Sequence, residues 1–115
     1  MTISEIKKRV APVARSYGVE RVYLFGSYAR GDATEKSDID LRVDKGAIRG
    51  LFMFAGFQIA LEEKLEHDVD VLATGALDDE FLKHIANEEV LIYEGENHEQ
   101  RQQRARKNDW LLQRH

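Results

Sequence analysis

Apolar residues recur first at helical spacing. Ile6, Val10, Val13 and Tyr17 fall on one face of a segment spanning residues 2–17, the period of an amphipathic helix. Thr2 followed three residues later by Glu5 makes a capping box at its start, and Gly18 ends it. Pro12 removes one hydrogen bond from that helix and is expected to bend it. The period then shortens: residues 21–25 are β-branched and aromatic, and residues 39–43 alternate apolar with polar, so both read as strands. Helical spacing returns over residues 48–65 through Ile48, Phe52, Ala55 and Ile59. Met53, Phe54 and Phe57 widen this stripe, so the helix is expected to pack on a sheet and still offer surface to a partner. Among its aromatics, Phe52, Phe54 and Phe57 are all expected in the core. Residues 69–72 read as a third strand, residues 79–86 as a helix carrying Phe81, Leu82 and Ile85, and residues 90–93 as a last strand. The alternation predicts an α/β (α+β) fold, a small mixed β-sheet flanked by helices.

Length and charge narrow the function classes. The 115 residues make one domain, with no room for a second catalytic unit. The absence of cysteine excludes disulfides, a thiol nucleophile and thiolate metal ligands, so any metal must use oxygen or imidazole donors. No apolar run approaches membrane-spanning length, and the N-terminus carries Glu5 and Lys7-Lys8-Arg9 where a signal peptide would be apolar, so the chain reads as cytoplasmic. The net charge of −4 divides unevenly: residues 1–95 sum to −6 and residues 96–115 to +2. An acidic body argues against stable nucleic-acid binding. Two segments follow: a domain over residues 1–95, and a polar, basic tail over 96–115 whose Trp110, Leu111 and Leu112 suit docking on a partner or on a second copy.

The chemistry is concentrated in residues 24–41. Gly26-Ser27 closes a strand and opens a short helical turn, where free amide N–H groups and a hydroxyl can cradle a phosphate. Asp38 and Asp40 are spaced i, i+2, which in a strand places both carboxylates on one side, about 6.5 Å apart along the chain. Two such carboxylates repel unless a cation joins them. Hard oxygen donors beside a phosphate cradle suit Mg²⁺. A third acid comes from the next strand: Asp70, flanked by Val69 and Val71, faces opposite to them, and Asp68 shares its parity, so spacing alone leaves the choice between the two open. Alternating Ile39, Leu41 and Val43 are wrong for a calcium-binding EF-hand loop, and no Gly-Lys-Ser/Thr follows Gly26 as a Walker P-loop requires.

Gly26-Ser27, ten intervening residues, Asp38-x-Asp40 and a lone strand aspartate some thirty residues on resemble the minimal nucleotidyltransferase (MNT) group of the DNA polymerase β-like nucleotidyltransferase superfamily. The wording Gly-Ser-Tyr-Ala-Arg-Gly and Ser-Asp-Ile-Asp-Leu is close to that group's, and the likeness covers about residues 1–95. The resemblance implies the polymerase β-like nucleotidyltransferase fold. It also implies that Gly26 and Ser27 hold the β- and γ-phosphates of ATP, that Arg30 touches phosphate, and that Asp38 and Asp40 ligate two Mg²⁺. Asp70 would ligate the second ion and assist deprotonation of the attacking hydroxyl. MNT proteins of this size act as antitoxins beside HEPN-domain ribonuclease toxins, as in type VII-like toxin–antitoxin pairs. The resemblance therefore implies AMP transfer from ATP to a toxin tyrosine, within a hetero-oligomer with the toxin or alongside a homodimer. A nucleotidyltransferase acting on tRNA or a small-molecule hydroxyl, and a non-catalytic antitoxin that masks its toxin by binding, are the rival readings.

Several residues read as bland. His67, His84, His98 and His115 share no metal-ligand spacing. Asp78-Asp79-Glu80 suits a helix N-terminus. Arg30 is equally suited to pairing with Asp32. Arg42 and Asp44 stand where apolar residues are usual after the second aspartate, so that strand is expected to be short or at an edge of the sheet.

Overall fold

A computed structural model describes residues 1–95; the tail expected over 96–115 lies outside the described residues. Four helices and four strands alternate: α1 (Ile3–Tyr17), β1 (Arg21–Phe25), α2 (Gly26–Arg30), β2 (Ile39–Asp44), α3 (Gly50–Leu65), β3 (Val69–Ala73), α4 (Asp79–Ala86) and β4 (Val90–Glu94), with a 3₁₀ turn at Thr74–Ala76. Thr2 caps α1 as expected, its hydroxyl accepting from the Glu5 N–H at 3.1 Å. Gly18 closes the helix in the left-handed conformation at φ 70°. The helix runs on through Pro12.

The sheet order is β3-β2-β1-β4, with β1 antiparallel to both β2 and β4 and β2 parallel to β3. It is thus a mixed sheet whose parallel pair is joined through α3. One face carries the core: Val22 and Leu24 of β1, Ile39, Leu41 and Val43 of β2, and Val69 and Val71 of β3 pack on Ile6, Val10 and Ala14 of α1 and Phe57, Leu61 and Leu65 of α3. Such burial of apolar area, worth about 25 cal/mol per Å², is the main force holding the layers. Period-2 alternation sends Tyr23, Phe25, Asp40, Arg42, Asp44 and Asp70 to the opposite face.

Two expectations are corrected. Strand β2 is neither short nor at an edge; its six residues lie between β1 and β3. Arg42 is tolerated there because Glu89 accepts two hydrogen bonds from its guanidinium at 2.7 and 3.0 Å, Thr74 accepts a third at 2.9 Å, and the group stacks 3.9 Å from the centroid of the Tyr23 ring. Burial opposes the charge on Arg42, and its bonds to and attraction for Glu89 outweigh that cost. The aromatics of α3 also divide. Phe57 is fully buried, Phe54 is half-buried, and Phe52 is 95% exposed beside Leu51. The helix therefore packs through the side bearing Met53, Phe54, Phe57, Leu61 and Leu65 and leaves Leu51, Phe52 and Ile59 uncovered. Among the described residues no helix is long and apolar enough to cross a membrane.

Candidate functional site

The site forms where β1, β2 and β3 end beside α2. The antiparallel register sets Phe25 opposite Asp40, and the parallel register sets Asp40 opposite Asp70. Gly26 follows Phe25 and turns the chain into α2 with φ +75°. A Cβ built on Gly26 would stand 2.2 Å from Asp40 Oδ2 and 3.1 Å from its Cγ. The missing side chain is thus what lets the turn lie against this carboxylate. Ser27 is half-buried one residue on, and its carbonyl accepts from the N–H groups of Gly31 and Asp32, both at 3.0 Å, which closes the five-residue helix. The first N–H groups of α2 are left without intrahelical partners, as at any helix N-terminus.

The three sequence-predicted acids are brought to this end of the sheet. Asp38 is exposed and stands one residue before β2, so the strand-parity argument reaches it from just outside the ladder. Asp40 is half-buried, and Asp70 is exposed between buried Val69 and Val71, as parity requires. Asp68 contributes backbone instead: its carbonyl accepts from the Ile39 N–H at 3.0 Å. Burial raises the Asp40 pKa above the ordinary carboxylate value, the charges of Asp70 and Asp38 raise it further, and Arg30 opposes them. That is the condition a cation relieves. The donors are all carboxylate oxygens, which fit Mg²⁺. Among the described residues, no three acidic, imidazole or thiol side chains are already drawn together as a metal-binding set.

Arg30 sits at the end of α2 and is held by Glu88 at 2.8 Å and Asp32 at 3.2 Å. Pairing with Asp32 was legible from its spacing; Glu88, 58 residues away, was not. Phe81 of α4 meets Phe25 edge-on with ring centroids 6.0 Å apart, and so roofs the end of β1 from which Gly26 departs. One residue at the site escaped the sequence reading. His67 hydrogen-bonds the Ser37 carbonyl next to Asp38 and lies 3.4 Å from the Tyr28 hydroxyl on α2. No sequence spacing signals it, since its partners are 30 and 39 residues away.

Comparison with known proteins agrees with this geometry. Residues 8–98 match the family described as polymerase beta, nucleotidyltransferase. Methanocaldococcus jannaschii MJ0435, provisionally named a protein adenylyltransferase, is 39% identical over 90 residues, covering 78% of this chain and 97% of its own. The protein adenylyltransferase MntA of Thermococcus cleftensis is 36% identical over 76 residues, 66% of this chain and 77% of its own. A solved structure described as a minimal nucleotidyltransferase superposes with a TM-score of 0.68 at 31% identity, covering 78% of this chain and 95% of that one. A chain from the complex of a tri-AMPylated Shewanella oneidensis HEPN toxin with an MNT antitoxin has the same fold, with a TM-score of 0.63 at 16% identity over 96% of this chain and 99% of that one. With a family match over residues 8–98 and relatives of this identity, on a sheet of this order, the chain is a nucleotidyltransferase belonging to the polymerase β family.

Proposed function

We propose that the protein is the antitoxin of a HEPN/MNT toxin–antitoxin pair and transfers AMP from ATP to a tyrosine of its HEPN partner, silencing it. The observation that carries this reading is the convergence of Asp40 and Asp70 in register beside Gly26, whose bare Cα lets the turn into α2 lie directly against the Asp40 carboxylate. It is supported by relatives named as protein adenylyltransferases that match over most of their length and by the shared fold of an antitoxin found with an AMPylated toxin.

In this reading the N–H groups at the start of α2 and the Ser27 hydroxyl bind the triphosphate, with Gly26 permitting close approach. Mg²⁺ held by Asp38, Asp40 and Asp70 would neutralise the triphosphate and polarise the attacking and leaving oxygens. The tyrosine oxygen attacks the α-phosphorus, the bond to the bridging oxygen breaks, and pyrophosphate leaves. Asp70, exposed at the mouth of the site, accepts the tyrosine proton. Arg30 reaches phosphate by exchanging Asp32 or Glu88 for it. Residues 1–95 form the catalytic domain, and residues 96–115 are assigned to partner binding.

The test is transfer of label to the purified partner in Mg²⁺. Label from α-phosphate-labelled ATP is expected on the partner, and none from γ-phosphate-labelled ATP. Label from the γ-phosphate, or α-label entering RNA and not protein, would overturn the proposal; full neutralisation of the partner without any label would favour masking.

A further inference from the structure

The segment between α3 and β3 is bound to the loop that carries Asp38 at two points. Helix α3 ends on Glu66, whose φ of 53° makes it the one non-glycine residue with positive φ among the described residues. That conformation is uncommon for a side-chain-bearing residue, and it turns the chain so that His67 and Asp68 face the start of β2. The connector is braced from α3 itself: the Glu62 carbonyl accepts from the His67 N–H at 3.4 Å, and Glu62 Oε2 accepts from the Val69 N–H at 3.4 Å.

From this braced segment come two hydrogen bonds that bracket Asp38. On its C-terminal side, the Asp68 carbonyl takes the Ile39 N–H. On its N-terminal side, His67 Nε2 meets the Ser37 carbonyl. A carbonyl only accepts, so Nε2 carries the proton and donates. The rest of Ser37 is engaged within its own turn. Its N–H donates to the Thr34 carbonyl at 3.0 Å, and its hydroxyl oxygen accepts from the Thr34 N–H at 2.8 Å. Every polar group of Ser37 is thereby engaged, which restrains the peptide leading into Asp38. Asp38 itself is exposed, so its placement depends on how its backbone is held. The same imidazole stands edge-on to the Tyr28 ring, with centroids 5.8 Å apart, and Tyr28 is the residue after Ser27. One side chain therefore touches both the phosphate turn and the run-in to the first carboxylate.

We propose that His67 is a positioning residue: by donating to the Ser37 carbonyl while resting on Tyr28, it fixes the Asp38 carboxylate relative to the Gly26–Ser27 turn, so that the two can hold one Mg²⁺–nucleotide together. This rests on the functional reading above, since it concerns the same site. Its consequence is specific. Loss of the donor loosens Asp38 without removing any ligand, so it weakens binding of the metal–nucleotide complex and leaves the fold intact.

The test uses the full chain and no acceptor, so its failure is distinguishable from failure of the proposed transfer reaction. Binding of a non-hydrolysable ATP analogue is measured by calorimetry across a Mg²⁺ titration for the wild type, His67→Phe and His67→Gln, with thermal melts alongside. His67→Phe keeps a ring against Tyr28 but has no donor; its affinity for the analogue is expected to fall about tenfold and its half-saturating Mg²⁺ to rise. His67→Gln places an amide N–H within reach of the same carbonyl and is expected to recover to within about threefold of the wild type. Wild-type affinity in His67→Phe, an equal loss in His67→Gln, or a His67→Phe chain that does not fold would each overturn the proposal.

Discussion

Replacing Gly26 with alanine tests whether the turn and the carboxylate were shaped around each other. Two costs add. Placing a side chain at φ +75° costs about 1–2 kcal/mol. The new methyl carbon would stand 2.2 Å from Asp40 Oδ2, 3.1 Å from Cγ and 3.3 Å from Cβ. Rotation of the carboxylate relieves the first of these contacts, but Cβ is tied to the strand, and overpacking of this kind costs about 1–3 kcal/mol. Alanine also restricts the unfolded chain, which returns about 0.5 kcal/mol. The net loss expected from urea unfolding is about 2–4 kcal/mol, a drop in Tm of roughly 10–25 °C, which a domain with the usual 5–15 kcal/mol survives. A double-mutant cycle separates the two costs. In an Asp40→Ala background the carboxylate is gone and only the backbone cost and the Cβ contact remain, so Gly26→Ala is expected to cost about 1–2 kcal/mol less there. Equal costs in the two backgrounds would refute the argument that Gly26 is bare in order to admit Asp40.

The charge crowding at the site predicts a pH signature. Because Asp40 ionises at a higher pH in the folded chain than in the unfolded one, stability present below the unfolded pKa is lost as pH rises through the folded one. Asp40→Asn is therefore expected to raise Tm at neutral pH without Mg²⁺, by an amount that vanishes below about pH 4; a gap that persists in acid would contradict this. The Arg42–Glu89 pair, with side chains 11% and 17% exposed, predicts that Arg42→Ala costs about 2–4 kcal/mol by stranding Glu89, and that replacing both with apolar residues recovers most of the loss; urea melts decide. Phe57→Ala is expected to cost about 3–5 kcal/mol, whereas Phe52→Ala, at 95% exposure, should stay within about 0.5 kcal/mol, and equal effects would contradict the assigned packing of α3.

Features fixed by local periodicity were legible in the chain. Parity put Asp70 and Asp68 alike on the face away from Val69 and Val71, which must face the core whichever strands flank them; the ladder register, which sets Asp70 against Asp40, separates the two. The capping of α1 and the glycine turn after β1 likewise depend on residues within a few positions. Features fixed by distant partners were not. Arg42 looked like the mark of a strand edge because nothing near it in sequence reveals Glu89, 47 residues on, or the ring of Tyr23 beneath it. His67 looked bland because its hydrogen bond crosses from the α3–β3 connector to a separate loop. Phe52, Phe54 and Phe57 are alike as letters, and which of them is buried follows from the side of α3 that faces the core cluster. The candidate carboxylates could be named because metal chemistry demands particular residue types; the residues that support them could not, because any residue of suitable reach can serve.

The most direct test of the account is the intact mass of the HEPN partner after co-expression with the wild-type protein and with Asp38→Ala/Asp40→Ala. With the wild type the partner should gain the mass of one or more AMP units, mapped by peptide sequencing to tyrosine, and with the double mutant it should carry none. An unmodified but neutralised partner in both cases would contradict the claim that this site works by nucleotidyl transfer.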